Sequence, residues 1–137
     1  MKETIVFVHG MCHGAWCWEE QYIPYFEKLG YNCIAFNLPG HETEGSAKRI
    51  SFSLDNYVQA LRNEVEKLNE PPIIIGHSMG GKTVMQFGLN YPGIAQKIIV
   101  VDIAPKFYPV HHSMILQGLA AVDLKNNSGR CASYTLA

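Results

Sequence analysis

The chain has 137 residues, 47% of them apolar and 17% charged, with a net charge of −1. That composition is globular, fits one domain with a hydrophobic core, and gives no electrostatic reason to expect nucleic acid or an anionic membrane as partner. No apolar run approaches the ~18 residues of a membrane span and no basic segment precedes a long apolar one, so a soluble, cytoplasmic protein without a membrane span is expected.

The elements follow in chain order. Thr4-Ile5-Val6-Phe7-Val8 is a short apolar run, read as a strand buried on both faces as in a parallel sheet. It runs into His9-Gly10-Met11-Cys12-His13-Gly14, where two glycines allow a tight turn with exposed backbone N–H groups. Trp18, Tyr22, Tyr25, Phe26 and Leu29 recur at helical spacing; Pro24 predicts a break or kink, and Gly30 a C-terminal stop. Asn32 to Asn37 is a second strand, and Leu38-Pro39-Gly40-His41 a turn. Ser53 is the expected N-cap of a helix from Leu54 to Leu68, closed by Pro71-Pro72. Ile73-Ile74-Ile75 is a third strand, Gly81 to Tyr91 a helix ended by Pro92-Gly93, and Ile98 to Val101 a fourth buried strand ending at Asp102. His111 to Val122 is apolar with helical spacing. Residues 124–137 lose all periodicity and read as a disordered or aberrant tail beyond a core of residues 1–123.

Strand and helix alternate four times, which predicts an α/β domain with a parallel sheet and right-handed crossovers. Chemistry in such sheets sits at the carboxyl ends of the strands. The four cysteines (Cys12, Cys17, Cys33, Cys131) form no CxxC pair and match no zinc spacing. Buried free thiols, no metal and no cofactor are expected.

Two chemistries fit the third strand end. Gly76-x-Ser78-x-Gly80 has the pattern of a nucleophile elbow. Gly76-x-x-x-x-Gly81-Lys82-Thr83 also satisfies a phosphate-binding P-loop, and the strand ending at Asp102 could then position magnesium. A P-loop usually follows the first strand of its domain, and this reading leaves His9-Gly10 and Leu38-Pro39-Gly40-His41 unexplained.

Val8-His9-Gly10, Asn37-Leu38-Pro39-Gly40-His41 and Gly76-His77-Ser78-Met79-Gly80-Gly81 resemble three successive signatures of the α/β-hydrolase superfamily, in that family's order. Met11 to Trp16 resembles its plant esterase and hydroxynitrile-lyase branch, and Ser78 to Tyr108 its small bacterial and mitochondrial acyl esterases. The resemblance implies a partial α/β-hydrolase fold and an esterase acting on a small-molecule ester. Ser78 would be the nucleophile. Gly76 and Gly80 would let neighbouring backbone approach it. Met11 and Met79 would supply the N–H groups of the oxyanion hole, and Asp102 the acid of the triad. His9 would shape the oxyanion turn, while His77, adjacent to Ser78, would point away from the line of attack.

The family's order is Ser, acid, then a His after the last strand. After Ser78 the sequence holds only His111 and His112, where the family's cap usually begins. The expectation is therefore an N-terminal half whose esterase activity is impaired for want of its base, or a non-catalytic hydrolase-derived fragment. By the family's strand order the Asn32 and Ile98 strands form the sheet edges, and the apolar Ile98 edge predicts self-association.

Overall fold

β-Branched residues lose rotamer freedom in a helix and fit a pleated surface, and the chain gathers them into short runs. In the computed structural model, which describes residues 2–41 and 52–104, four such runs are strands: β1 (Thr4–Val8), β2 (Asn32–Ala35), β3 (Ile73–His77) and β4 (Lys97–Val101). Between them lie the helices α1 (Trp16–Glu19), α2 (Tyr22–Lys28), α3 (Leu54–Val65) and α4 (Met79–Asn90). All three pairings are parallel, in the order β2-β1-β3-β4, so the expected α/β class and four-stranded sheet are observed with β2 and β4 at the edges. The described residues belong to one compact unit, Met1–Pro105. The expected core boundary at 123, the tail from 124, and His111 and His112 lie outside the described residues.

The central strands β1 and β3 bury both faces. Val6, Val8 and Ile74 pack with Leu61 of α3 and with Val84 and Phe87 of α4. On the other face Ile5, Phe7, Ile73 and Ile75 pack with Trp18 of α1, and Phe26 of α2 covers them in part. Each fully buried Ile or Phe contributes about 1.5–3 kcal/mol of transfer free energy, so these two strands carry the core.

Local signals set the helix ends. Ser53 Oγ accepts from the Asn56 N–H at 3.3 Å, and the Ser53 N–H donates to Asn56 Oδ1 at 2.9 Å, a reciprocal cap on α3. Gly30, at φ 95°, follows α2; its N–H bonds Glu27 O and the Tyr31 N–H bonds Phe26 O, closing the helix as expected.

Three expectations need correction. The single helix from Trp18 to Leu29 is two helices, α1 and α2, and the break lies at Glu20–Gln21 rather than at Pro24. Pro24 sits in the first turn of α2, where a missing N–H costs nothing; a continuous helix would have needed that N–H to reach Glu20. The thiols are not uniformly buried. Cys12 is exposed on the turn after β1, at φ 62°, while Cys17 and Cys33 are half-buried, and burial pushes both of these thiols above their ordinary range. Finally, β4 is not buried: Ile98, Ile99 and Val101 are all exposed, because no fifth strand among the described residues pairs with its free edge.

Candidate active site

The β3–α4 junction places Ser78. β3 ends at His77 and α4 begins at Met79, so Ser78 alone makes the turn, at φ 54° and ψ −118°. A side-chain-bearing residue rarely holds a positive φ, and such strain is stable only where the surroundings enforce it. They do so here. The Ser78 N–H donates to Val101 O at 3.0 Å, extending the β3–β4 ladder by one step, and Ser78 O accepts from the Lys82 N–H at 3.2 Å. A Cβ on Gly80 would collide with the backbone oxygens of Val8 and His9, and one on Gly76 with Gly80 O and Val84. Both glycines therefore let α4 pack against the ends of β1 and β3. The one-residue connection leaves no multi-residue cradle of backbone N–H groups for a phosphate. Thr83 is buried and its hydroxyl donates to Met79 O at 3.1 Å, so it is not presented to a metal. The P-loop pattern is a coincidence of sequence.

The turn after β1 lies against this elbow. A Cβ on Gly10 would stand 3.1 Å from Ser78 Cβ, so the Gly10-Met11 backbone passes beside the serine. Met11 itself is exposed, while Met79 is half-buried at the first position of α4, where backbone N–H groups have no intrahelical acceptor. Two side chains fix the turn. Asn37 Oδ1 accepts from the Ala15 N–H at 2.8 Å. His9 is completely buried; its Nε2 accepts from the Leu38 N–H at 2.9 Å, so the ring proton sits on Nδ1 and is donated to Gly10 O at 2.8 Å. Burial lowers the His9 pKa, and nearby His41 and His13 push the same way against the Gly10 hydrogen bond. The residue is thus a neutral strut between the ends of β1 and β2, which agrees with its expected part in shaping the turn.

Asp102 follows β4 at φ 58° with its side chain 80% exposed. Its Oδ2 lies 3.6 Å from His77 Nε2. The sequence reading missed this neighbour. The signal was the strand alternation of β3: Ile73, Ile75 and His77 share one face, and the register sets His77 against Val101, one residue before Asp102. On that face His77 helps line a cleft of about 490 Å³ with His13, Trp18, Phe26, Ile99 and Val101. Ser78 does not line this cleft, which therefore lies beside the serine's position rather than around it. Among the described residues no group of three metal-ligating side chains gathers, and no helix is long and apolar enough to cross a membrane.

A family model described as the alpha/beta hydrolase fold matches residues 3–130. Methylesterase 2 of Arabidopsis thaliana is 34% identical over 112 residues, which cover 79% of this chain and 41% of that protein. Salicylic acid-binding protein 2 of Nicotiana tabacum is 34% identical over 119 residues, covering 82% and 44%. Among solved structures, one titled marine microorganism esterase matches with a TM-score of 0.72 and 28% identity, over 90% of this chain and 48% of its own. The chain thus spans less than half the length of these relatives.

Proposed function

The chain belongs to the α/β-hydrolase fold family, and from that premise we propose that it carries the nucleophile half of a serine esterase. One observation carries the reading: Ser78 alone turns the chain between β3 and α4 at a strained positive φ, with Gly76 and Gly80 admitting the neighbouring backbone. Ser78 Oγ attacks the carbonyl carbon of an ester, the alcohol departs, and water hydrolyses the acyl-serine. A serine hydroxyl is a weak nucleophile and needs a base to take its proton. The N–H groups of Met79 and Met11 receive the oxyanion; each such donor is typically worth about 10²–10³ in rate. Asp102 is the acid that orients the base. The relatives named methylesterases favour a small carboxylic methyl ester as substrate.

The only histidines after Ser78 in the 137 residues are His111 and His112. With neither serving as base, turnover by this chain falls to the roughly 10³–10⁴ over water that an oxyanion hole and binding alone sustain. Labelling by a fluorophosphonate, lost in Ser78→Ala, is the expected result for the hydrolase site. A folded chain that is not labelled would make it a non-catalytic member of the family. Strong Ser78-dependent turnover of a short-chain aryl ester would overturn the impairment and assign the base to His111 or His112.

A further inference from the structure

An acid that orients a catalytic base has to hold its carboxylate in one direction, because orientation supplies much of the rate. The Asp102 side chain is 80% exposed, so a neighbour has to supply that restraint. The neighbour that can supply it is His77. The imidazole is half-buried, with Nε2 3.6 Å from Asp102 Oδ2, and Nδ1 would stand 3.2 Å from a Cβ on Gly10. The ring therefore fills the space between the turn after β1 and the end of β4. Backbone bonding fixes both walls: β3 pairs Gly76 with Val8 of β1 on one side and His77 with Val101 of β4 on the other.

We propose that His77 is a positioning residue that holds the carboxylate of Asp102 beside the Ser78 elbow. The inference rests on the reading of Asp102 as the acid of the site. The 3.6 Å separation is within ion-pair reach but longer than a hydrogen bond, and rotation of the exposed carboxylate closes it. The other titratable groups around the ring do not compete for this role. His13, from the turn after β1, presents its ring at 6.0 Å between centroids and directs Nδ1 to Met11 O at 3.0 Å. Cys17 of α1 and Tyr22 of α2 line the same cleft, and burial keeps the Cys17 thiol protonated. Among the described residues lining that cleft none bears a carboxylate. Among the described residues His77 thus meets one acid, Asp102, the acid that the proposed reaction needs.

The test has two arms. Imidazole nitrogen NMR of the ¹⁵N-labelled 137-residue chain, in solution or as a solid if the chain associates, reads the contact directly. Neutral His77 should carry its proton on Nε2, and Asp102→Asn should move the His77 signals while leaving those of His9 in place. A His77 signature that Asp102→Asn leaves unchanged overturns the proposal. The second arm is the rate of fluorophosphonate labelling of Ser78 with imidazole added as the base that Asp102 orients. His77→Gln, which keeps a donor, should retain the rate within about threefold, whereas His77→Leu should slow it about tenfold and add nothing in an Asp102→Asn background. Additive effects would make His77 a packing residue only. Asp102→Asn slowing the label with no NMR response would leave Asp102 as acid and remove His77. An NMR response with no effect of Asp102→Asn on labelling would instead remove Asp102 as acid, and with it the positioning role.

Discussion

β3 and β4 are both short, isoleucine-rich strands placed in two environments. One reads Ile73-Ile74-Ile75-Gly76-His77 and the other Lys97-Ile98-Ile99-Val100-Val101, and they are paired residue for residue. Ile75 is 8% exposed and its register partner Ile99 is 44% exposed. The difference owes nothing to composition. β3 has a strand on each side and helices on both faces, whereas β4 has, among the described residues, a neighbouring strand on one side only. Apolar sequence thus reports the burial a strand is built for, and its neighbours decide the burial it obtains.

Substitutions separate the two environments, beginning with the most disruptive. Gly80→Ala drives a methyl group into the backbone oxygens of Val8 and His9 where α4 meets the ends of β1 and β3. A loss of about 4 kcal/mol or more is expected, enough to abolish a cooperative melt and Ser78 labelling together. A normal melt would mean that the close approach is not required. Next comes the matched pair: Ile75→Ala should cost about 2–5 kcal/mol, and its register partner Ile99→Ala less than about 1 kcal/mol, as on any exposed surface. Equal losses in urea denaturation would show that β4 is covered after all.

The remaining three effects are smaller. His9, at the end of the strand that flanks β3, has a lowered pKa in the folded chain, so the unfolded chain binds its proton first. Stability should be fully present above about pH 6.5 and fall as the pH drops below it, by at most about 1.4 kcal/mol per unit. Protonation would also set an Nε2–H against the Leu38 N–H. Melting temperatures that do not change between pH 7.5 and pH 5.5 would remove this role. Ser53→Ala unties the cap of α3, whose Leu61 packs with the Ile74 face of β3, and should cost ~1 kcal/mol by thermal denaturation. Ile99→Lys should change stability least, by under about 0.5 kcal/mol. It should nevertheless lower the apparent mass in light scattering, because an edge lysine blocks strand pairing. An unchanged mass would place any association elsewhere.

Much of this architecture was legible in the sequence because it depends on local chemistry. Ser53 and Gly30 mark helix ends by rules that act within a few residues, and Gly76-x-Ser78-x-Gly80 encodes a turn that leaves little choice of conformation. The break between α1 and α2 was misplaced because proline is tolerated in a first turn, so its presence did not say on which side the helix would part. The composition of β4 read as a buried strand because composition does not count neighbouring strands; its place at the edge came from the strand order of the resembled family. The His77–Asp102 contact could not be read from spacing alone: it needs the β3–β4 register and the positive φ of Asp102, and both are tertiary facts.

The parallel pairing of β1 with β3 also has a consequence in time. Val8 meets Gly76 only after β2 and α3 have been laid out between them, so the contact closes a long loop and contributes slowly to folding. The strained turn at Ser78 lacks its contacts with the end of β1 until that closure, whereas the caps of α2 and α3 need only their own neighbours. In a refolding experiment the helical signal should recover first and reactivity toward a serine-directed label later. Simultaneous recovery would show that the elbow forms without β1. The Ser78 turn is accordingly completed after the caps of α2 and α3, and an unfinished fold does not present it.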